Sequence, residues 1–563
     1  MIETATAPHA PSKPTATIAG WPRLVPFLLV VFASFAMFFG QLGQVPLFNP
    51  DEGLYAEPAR EMLDTGEYIT TLLNYDVRFT KPPLSIWLMA LSYKVFGINE
   101  FAARFPGALS AVLLVAATYL FLARFLNRRC AFFASMILIT SPMCIGVARM
   151  AITDMPLTLF MSVGFFSLFA AFESKRKSLV CLGYFLIGLA VMTKGPVGAL
   201  LPVMILAAYH TLTGTVRDAI KFFDIRLGLI IIAAIAVPWF AVEIYVTKGA
   251  YFKEFILREN FGRFTSLVDS HKGAWWYHLA AMFGGFFPWS VFLPQTIVLS
   301  LLAATGKIRQ RSIAQADYPG PDQEQTLKKM RIFFLCWLFI PLIFFSISVS
   351  KLFTYTLPAF PALAALVAME LDWAIEQNRL KRLLVPSALI ALSFGLAAFL
   401  AGYALDRIRE APVELTHTIA LFAACQGCAT LLCLALLYLG RKQQAIFAFM
   451  ATLLVLILYF GYQLLPQMSK AFEGDTPSYA LRGAHSQMPF ILFDVRKPGI
   501  PFYTKRKVMQ PADRTELDTI LMATREALVI TQIRDLKQLE QVPGLTTLEK
   551  DARFALLRWK RVR

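Results

Sequence analysis

About thirteen runs of roughly 20 apolar residues follow one another along this chain, each long enough for a helix to cross a bilayer core. They lie near 22–42, 105–126, 130–147, 156–172, 178–193, 196–212, 227–247, 279–303, 331–349, 353–371, 383–404, 415–439 and 444–465. Charged residues make up 16% of the chain, against about 25% in a soluble domain. A polytopic, mostly α membrane protein is expected, and disordered, collagenous and soluble-enzyme classes are excluded. The 49 Phe are expected to face lipid. The first run is too long for the apolar core of a signal peptide and reads as a retained first span. The seven Cys lie in or beside apolar runs, which predicts no structural disulfide. The Cys425/Cys428 pair reads as buried small residues within a span.

Loop charge sets the expected orientation. With a cytoplasmic N-terminus (residues 1–21), six basic clusters share the cytoplasmic side. These are Arg124/Arg128/Arg129, Lys175–Lys177, Arg217/Lys221/Arg226, the 307–331 loop, Arg379/Lys381/Arg382 and Arg441/Lys442. The net charge of +17 is then assigned to loops, facing lipid headgroups and phosphate rather than nucleic acid. Three polar regions fall on the outer side: 43–104, 248–278 and a tail, 466–563. Strand-like pieces at Phe490–Val495, Ala527–Gln532 and Phe554–Trp559, with a helix-like piece at Asp513–Arg525, predict a small α/β domain in the tail. Residues 314–325 read as a polar loop.

The candidate chemistry collects on that outer side. Asp51 and Glu52 follow the first span directly, and ionisable groups where a chain leaves the membrane are functional candidates. Asp51 also reads as a helix N-cap. Lys81 precedes Pro82 and Pro83, which hold the backbone extended and rigid. Its ammonium suits a phosphate at headgroup level, although a snorkelling lysine has the same signature. Asp154 follows the third span with Arg149 nearby, and a structural Arg149–Asp154 pair is the plainer reading. Arg263 and His271 occupy a second outer segment, with Trp275 and Trp276 as interface anchors. Lys351 and Tyr355 are four apart in a short turn and are expected to share a helix face.

These residues resemble the GT-C superfamily of membrane-embedded glycosyltransferases, in the group of the dolichyl-phosphate-mannose-protein mannosyltransferases. Within it they are most similar to the lipid A 4-amino-4-deoxy-L-arabinose transferases. The resemblance rests on Asp51-Glu52-x-x-Tyr55-Ala56-Glu57-x-x-Arg60-Glu61-Met62-Leu63 and on Lys81-Pro82 thirty residues later. Val95-Phe96-Gly97, the Asp154 loop, the Arg263/His271 segment and the Ser350–Pro358 turn extend it. It implies a GT-C domain over 22–465 and a soluble periplasmic domain over 466–563, in a bacterial inner membrane. It implies inverting transfer of a sugar, aminoarabinose, from undecaprenyl phosphate to lipid A, with other lipopolysaccharide or protein hydroxyls as alternative acceptors. Asp51, Asp154 and Glu52 take the catalytic positions. Lys81, Arg263, Lys351, Tyr355, Tyr55 and His271 take the substrate and phosphate positions. Thr80 stands where the family often carries Glu before Lys-Pro. A divalent metal stays open, no other cofactor is expected, and nucleic acid is not a partner.

A transporter or lipid flippase is the other class the spans allow. It predicts repeated halves and broken midplane helices, whereas the acids and bases here collect at one face. The orientation is testable directly. Reporter fusions after Gln467 should be active as outer-face enzymes and silent as cytoplasmic ones, and the reverse pattern overturns the assignment.

Overall fold

A computed structural model describes residues 22, 24–262, 273–307, 323–407, 413–484 and 486–561. Every apolar run coincides with a helix or a bent helix pair. Among the described residues, nine helices are long and apolar enough to cross a membrane, or up to eleven if each bent pair is one span. The other two runs form shorter apolar helices, Val25–Phe39 and Val197–Leu212.

The bent pairs depart from the straight spans expected. Arg128–Ile139 and Pro142–Ala148 meet at 64°, and Tyr277–Gly285 and Trp289–Ala304 at 114°. Both breaks lie beside a proline. The pyrrolidine of Pro142 forces Ser141 into extended backbone (φ −79, ψ 124). Pro288 has no N–H to continue the helical ladder.

The Phe residues do more than face lipid. Phe133, Phe165, Phe333 and Phe360 are fully buried, while Phe32 and Phe399 are exposed. Phe121 stacks on Phe166 at 4.3 Å, and Phe165 meets Trp337 at 4.6 Å. Aromatic pairs thus bind helix to helix where apolar lipid gives no hydrophobic drive. Cys425 is half-buried and Cys428 exposed, so the two are not the buried small residues expected.

Polar contacts sort the loops by end. Arg129 pairs with Asp372 and Glu376, Lys329 with Glu173, and Arg382 with Glu370, joining basic loops at one end of the bundle. The first long loop lies at the other end, against the C-terminal residues. It contains helix Gly53–Thr65, a hairpin of β1 (Leu72–Leu73) and β2 (Asp76–Val77), and helix Leu84–Phe96. The hairpin turns through Asn74 and Tyr75 in the left-handed region (φ 56 and 63).

The last long helix runs Lys442–Glu473 and leads into a four-stranded sheet. Its strands are β3 (Phe490–Phe493), β4 (Glu526–Gln532), β5 (Leu545–Lys550) and β6 (Phe554–Lys560), in the order β3-β4-β6-β5. β3 pairs parallel to β4, and the other pairs are antiparallel. The three strands read from sequence are the buried ones, whereas β5, buried at Leu545 and then alternating half-buried and exposed, was not anticipated. Two carboxylates satisfy amides at the start of helix Arg514–Ala523. Asp513 accepts from the Glu516 amide at 2.9 Å, and Glu516 accepts from the Ala512 amide at 2.7 Å.

Candidate active site

The site is framed by Glu52. Its carboxylate is fully buried and grips Arg104 in a fork, with Nε–Oε1 at 2.8 Å and Nη2–Oε2 at 2.7 Å. The Phe48 and Ala151 amides each donate to it at 2.8 Å. Arg104 spends its remaining donors on the carbonyls of Leu42, Val45 and Pro46. With both oxygens occupied, Glu52 holds the loop in shape. Asp51, one residue earlier, is exposed. The N-cap position of helix Gly53–Thr65 falls on Glu52, one residue after Asp51.

Tyr55, in the first turn of that helix, lies below the guanidinium of Arg78, 5.6 Å from ring centre to Cζ. Burial raises the Tyr55 phenol above its ordinary range, Arg78 opposing. Burial likewise lowers Arg78, opposed by Tyr55 and Glu259. Lys81, mostly buried, lies 3.4 Å from Glu259. Glu259 belongs to the π-helix Phe252–Gly262, which brings the second polar segment against the first.

Asp154 takes a different partner from the one considered above. Lys194 Nζ donates to it at 2.7 Å, while Arg149 donates to the Met37 carbonyl. Lys194 ends helix Lys177–Lys194 just before Gly195, whose φ of +84 turns the chain away. The same ammonium sits 5.0 Å from the Tyr355 ring centre. Tyr355 stacks at 6.0 Å on His278, a fully buried ring. Lys351 does not share an α-helical face with Tyr355. It lies in the stretch before the 3-10 turn Phe353–Ala359 and donates to the Ser346 and Ser348 carbonyls at 2.8 and 2.7 Å. Those carbonyls close the helix Gln323–Ile347, and a cation satisfies them well.

Asp154, Tyr55, Tyr355 and Lys81 are therefore gathered around Lys194, Arg78 and Glu259. Arg263 and His271 lie outside the described residues. Lys194, Arg78 and Glu259 received no role from the sequence. The only local sign of Lys194 was a cation before Gly195-Pro196 at the end of an apolar run. Among the described residues, no three His, Cys, Asp or Glu side chains come together to hold a metal ion. Thr80, Lys81 and Glu259 supply a hydroxyl, a cation and one carboxylate, a poor donor set for a divalent ion.

Behind Tyr55 the same helix buries Glu57, Arg60 and Glu61. Arg60 forks onto Glu57 with two contacts of 2.8 Å. Glu61 accepts from the Tyr75 amide at 3.0 Å. Burial, with Glu57 adjacent, pushes Glu61 up to about 8.

Comparisons with known proteins agree with this architecture. A family model described as dolichyl-phosphate-mannose-protein mannosyltransferase matches residues 27–250. The undecaprenyl phosphate-alpha-4-amino-4-deoxy-L-arabinose arabinosyl transferase of Pectobacterium atrosepticum is 32% identical over 331 residues, covering 57% of this chain and 54% of that protein. Its counterpart from Pectobacterium carotovorum subsp. carotovorum is 32% identical over 370 residues, 64% of this chain and 61% of that one. The match thus spans little more than half the length of these relatives. The crystal structure of ArnT from Cupriavidus metallidurans bound to undecaprenyl phosphate superposes with a TM-score of 0.77 at 21% identity. That superposition covers 95% of this chain and 98% of the other.

Two outcomes follow from the buried charges. Lys194→Met strands the Asp154 carboxylate and should lower stability by roughly 3 kcal/mol, with Asp154→Asn/Lys194→Met recovering most of the loss. Thermal unfolding in detergent measures both, and purely additive losses would show the pair to be uncoupled. Glu61 holds its proton more tightly folded than unfolded, so its contribution to stability is full below about pH 4.5 and is lost as pH rises toward 8. Glu61→Gln should flatten the fall in unfolding midpoint over that window, and an unchanged slope would exclude Glu61 as its source.

Proposed function

We propose that this chain, whose fold is the GT-C fold of the aminoarabinose transferases, moves 4-amino-4-deoxy-L-arabinose from undecaprenyl phosphate to lipid A. The reaction takes place at the periplasmic face of the bacterial inner membrane. The observation that carries the reading is the grouping of Lys194, Arg78 and Lys81 with Asp154, Tyr55 and Glu259. They meet at the domain-bearing end of an apolar bundle, beside the apolar helix Leu84–Phe96. The named relatives support the donor and the sugar.

The chemistry is a displacement at the anomeric carbon. An acceptor oxygen forms the new bond to that carbon as the bond to the lipid phosphate oxygen breaks. The phosphate leaves with the electron pair, and the configuration inverts. Negative charge grows on the departing phosphate, so cations already in place lower the barrier. Lys81 is assigned to that phosphate, and Arg263 takes the same role by the family resemblance. A phosphate acceptor has a second pKa near 6 and is nucleophilic without a base. Asp51 and Asp154 then orient the sugar's amine and hydroxyls.

The second reading is transfer of another sugar to lipopolysaccharide or to protein hydroxyls. The match to the protein mannosyltransferase model favours it, and a hydroxyl acceptor needs a general base, a role open to exposed Asp51. Mass spectra of lipid A from cells with and without the protein separate the two.

With purified polyprenyl-phosphate sugar in detergent, Asp51→Asn should cut transfer by roughly two orders of magnitude at normal expression. Lys81→Ala should weaken donor binding and slow transfer together, and Lys81→Arg should restore part of the loss. Wild-type donor affinity and turnover in Lys81→Ala would make Lys81 an interface lysine.

A further inference from the structure

We infer that the C-terminal domain positions Asp51, through a buried knot of Asn49, Glu473, Lys497 and Gly499. This inference rests on the transferase reading above for what Asp51 does, while the knot itself is read from geometry. Glu473 closes the last long helix and is 2% exposed. Its Oε1 accepts from the Asn49 amide at 2.7 Å. Its Oε2 accepts from Asn49 Nδ2 at 3.0 Å and from Lys497 Nζ at 2.7 Å. Lys497, 7% exposed, also donates to the Glu473 carbonyl at 2.8 Å and to Thr476 Oγ1 at 3.0 Å. Asn49 Oδ1 in turn accepts from the Gly499 amide at 2.6 Å.

The backbones touch as well. A Cβ on Gly53 would lie 2.3 Å from the Gly499 nitrogen, and one on Gly499 would lie 2.8 Å from Asn49 Oδ1. Asp51 is thus bracketed. Asn49 is held by the C-terminal domain, Glu52 by Arg104, and Gly53 by backbone contact with Gly499. The chain has little room to shift at Asp51 unless one of these anchors gives. Misplacing a reacting or orienting group by about 1 Å costs on the order of a hundredfold in rate. A buried ion pair with every partner hydrogen-bonded is a rigid support for such a group.

Plain domain docking does not require this knot. Asn74 exchanges two hydrogen bonds with Val508, at 2.8 and 2.7 Å, Lys507 pairs with Asp76, and the Tyr503 hydroxyl receives the Leu47 amide. The Asn74 and Asp76 contacts seat the same domain on the hairpin of the same loop, more than twenty residues from Asp51. They supply the control.

The test uses the full-length protein in detergent with a polyprenyl-phosphate sugar donor. Glu473→Gln should lower kcat by roughly ten- to a hundredfold, with donor KM changed by less than about twofold. Asn49→Ser, which keeps the backbone bond to Glu473, should fall in between. The double variant Asn49→Ser/Glu473→Gln should be about as impaired as Glu473→Gln alone. Asn74→Ala should leave kcat unchanged. In parallel, Asp51→Cys is labelled with a charged maleimide, with background from the native cysteines subtracted. Its labelling rate should change on the Glu473→Gln background and not on the Asn74→Ala background. Wild-type kcat and unchanged labelling in Glu473→Gln overturn the inference, as does an equal effect of Asn74→Ala. If the wild-type protein transfers no sugar, the transferase reading fails, and the labelling pair alone decides the positioning.

Discussion

The fork between Glu52 and Arg104 is the contact on which the domain-bearing end depends. Two full charges are buried there, which is tolerable only because every hydrogen-bonding group on both is used. Arg104 comes from the helix Glu100–Phe125, and its spare donors gather three carbonyls of the loop before Glu52. Glu52 reaches the Ala151 amide, three residues before Asp154. One ion pair therefore ties the exit of the first apolar helix, the start of the Asp51 loop and the approach to Asp154. Each carboxylate then meets its own partner, Asp154 with Lys194 and Glu473 with Lys497.

Charge is paired at both ends of the bundle. At the end away from the C-terminal domain, Arg129, Lys329 and Arg382 are each matched to acids on neighbouring helices. At the domain-bearing end the cations also meet acids, Lys194 with Asp154, Lys81 with Glu259 and Lys497 with Glu473, and aromatic rings lie against some of the cations as well. Arg78 lies over Tyr55, and Lys194 lies near Tyr355. Such a site favours an anion that can replace lost hydration with several donors at once. A lipid phosphate is an anion of that kind, with an apolar chain to leave in the bilayer.

Particular residues show why some of this was legible and some was not. Apolar runs of helical length announce helices because no other backbone form satisfies itself in hydrocarbon. Asp51, Lys81 and Asp154 stood out as ionisable groups beside apolar runs. Lys194 did not, because a lysine at the end of an apolar helix is the ordinary snorkelling signature. Its role appears only when helix Asp154–Ser174 brings Asp154 within 2.7 Å. Glu52 looked like Asp51's catalytic twin, since adjacent acids are indistinguishable by spacing. Its burial against Arg104, 52 residues away, separates the two. Lys351 looked ready to share a face with Tyr355, and the need of terminal helix carbonyls for a donor took it elsewhere. β5 was missed because an edge strand with one wet face carries little apolar signal.

By itself, the sequence determined a helical membrane bundle, the alternation of basic loops and an α/β tail, and it marked the stretch where acids leave the membrane. These follow from hydropathy, charge and short-range periodicity, all of which are local. The tertiary structure decided which acid faces outward and which is locked away, which cation meets Asp154, and that Glu473, held by Lys497, reaches Asn49. Those outcomes depend on contacts between residues as many as 424 positions apart. Only the packed chain brings such groups within hydrogen-bonding distance, and burial then makes each unpaired charge too costly to leave alone.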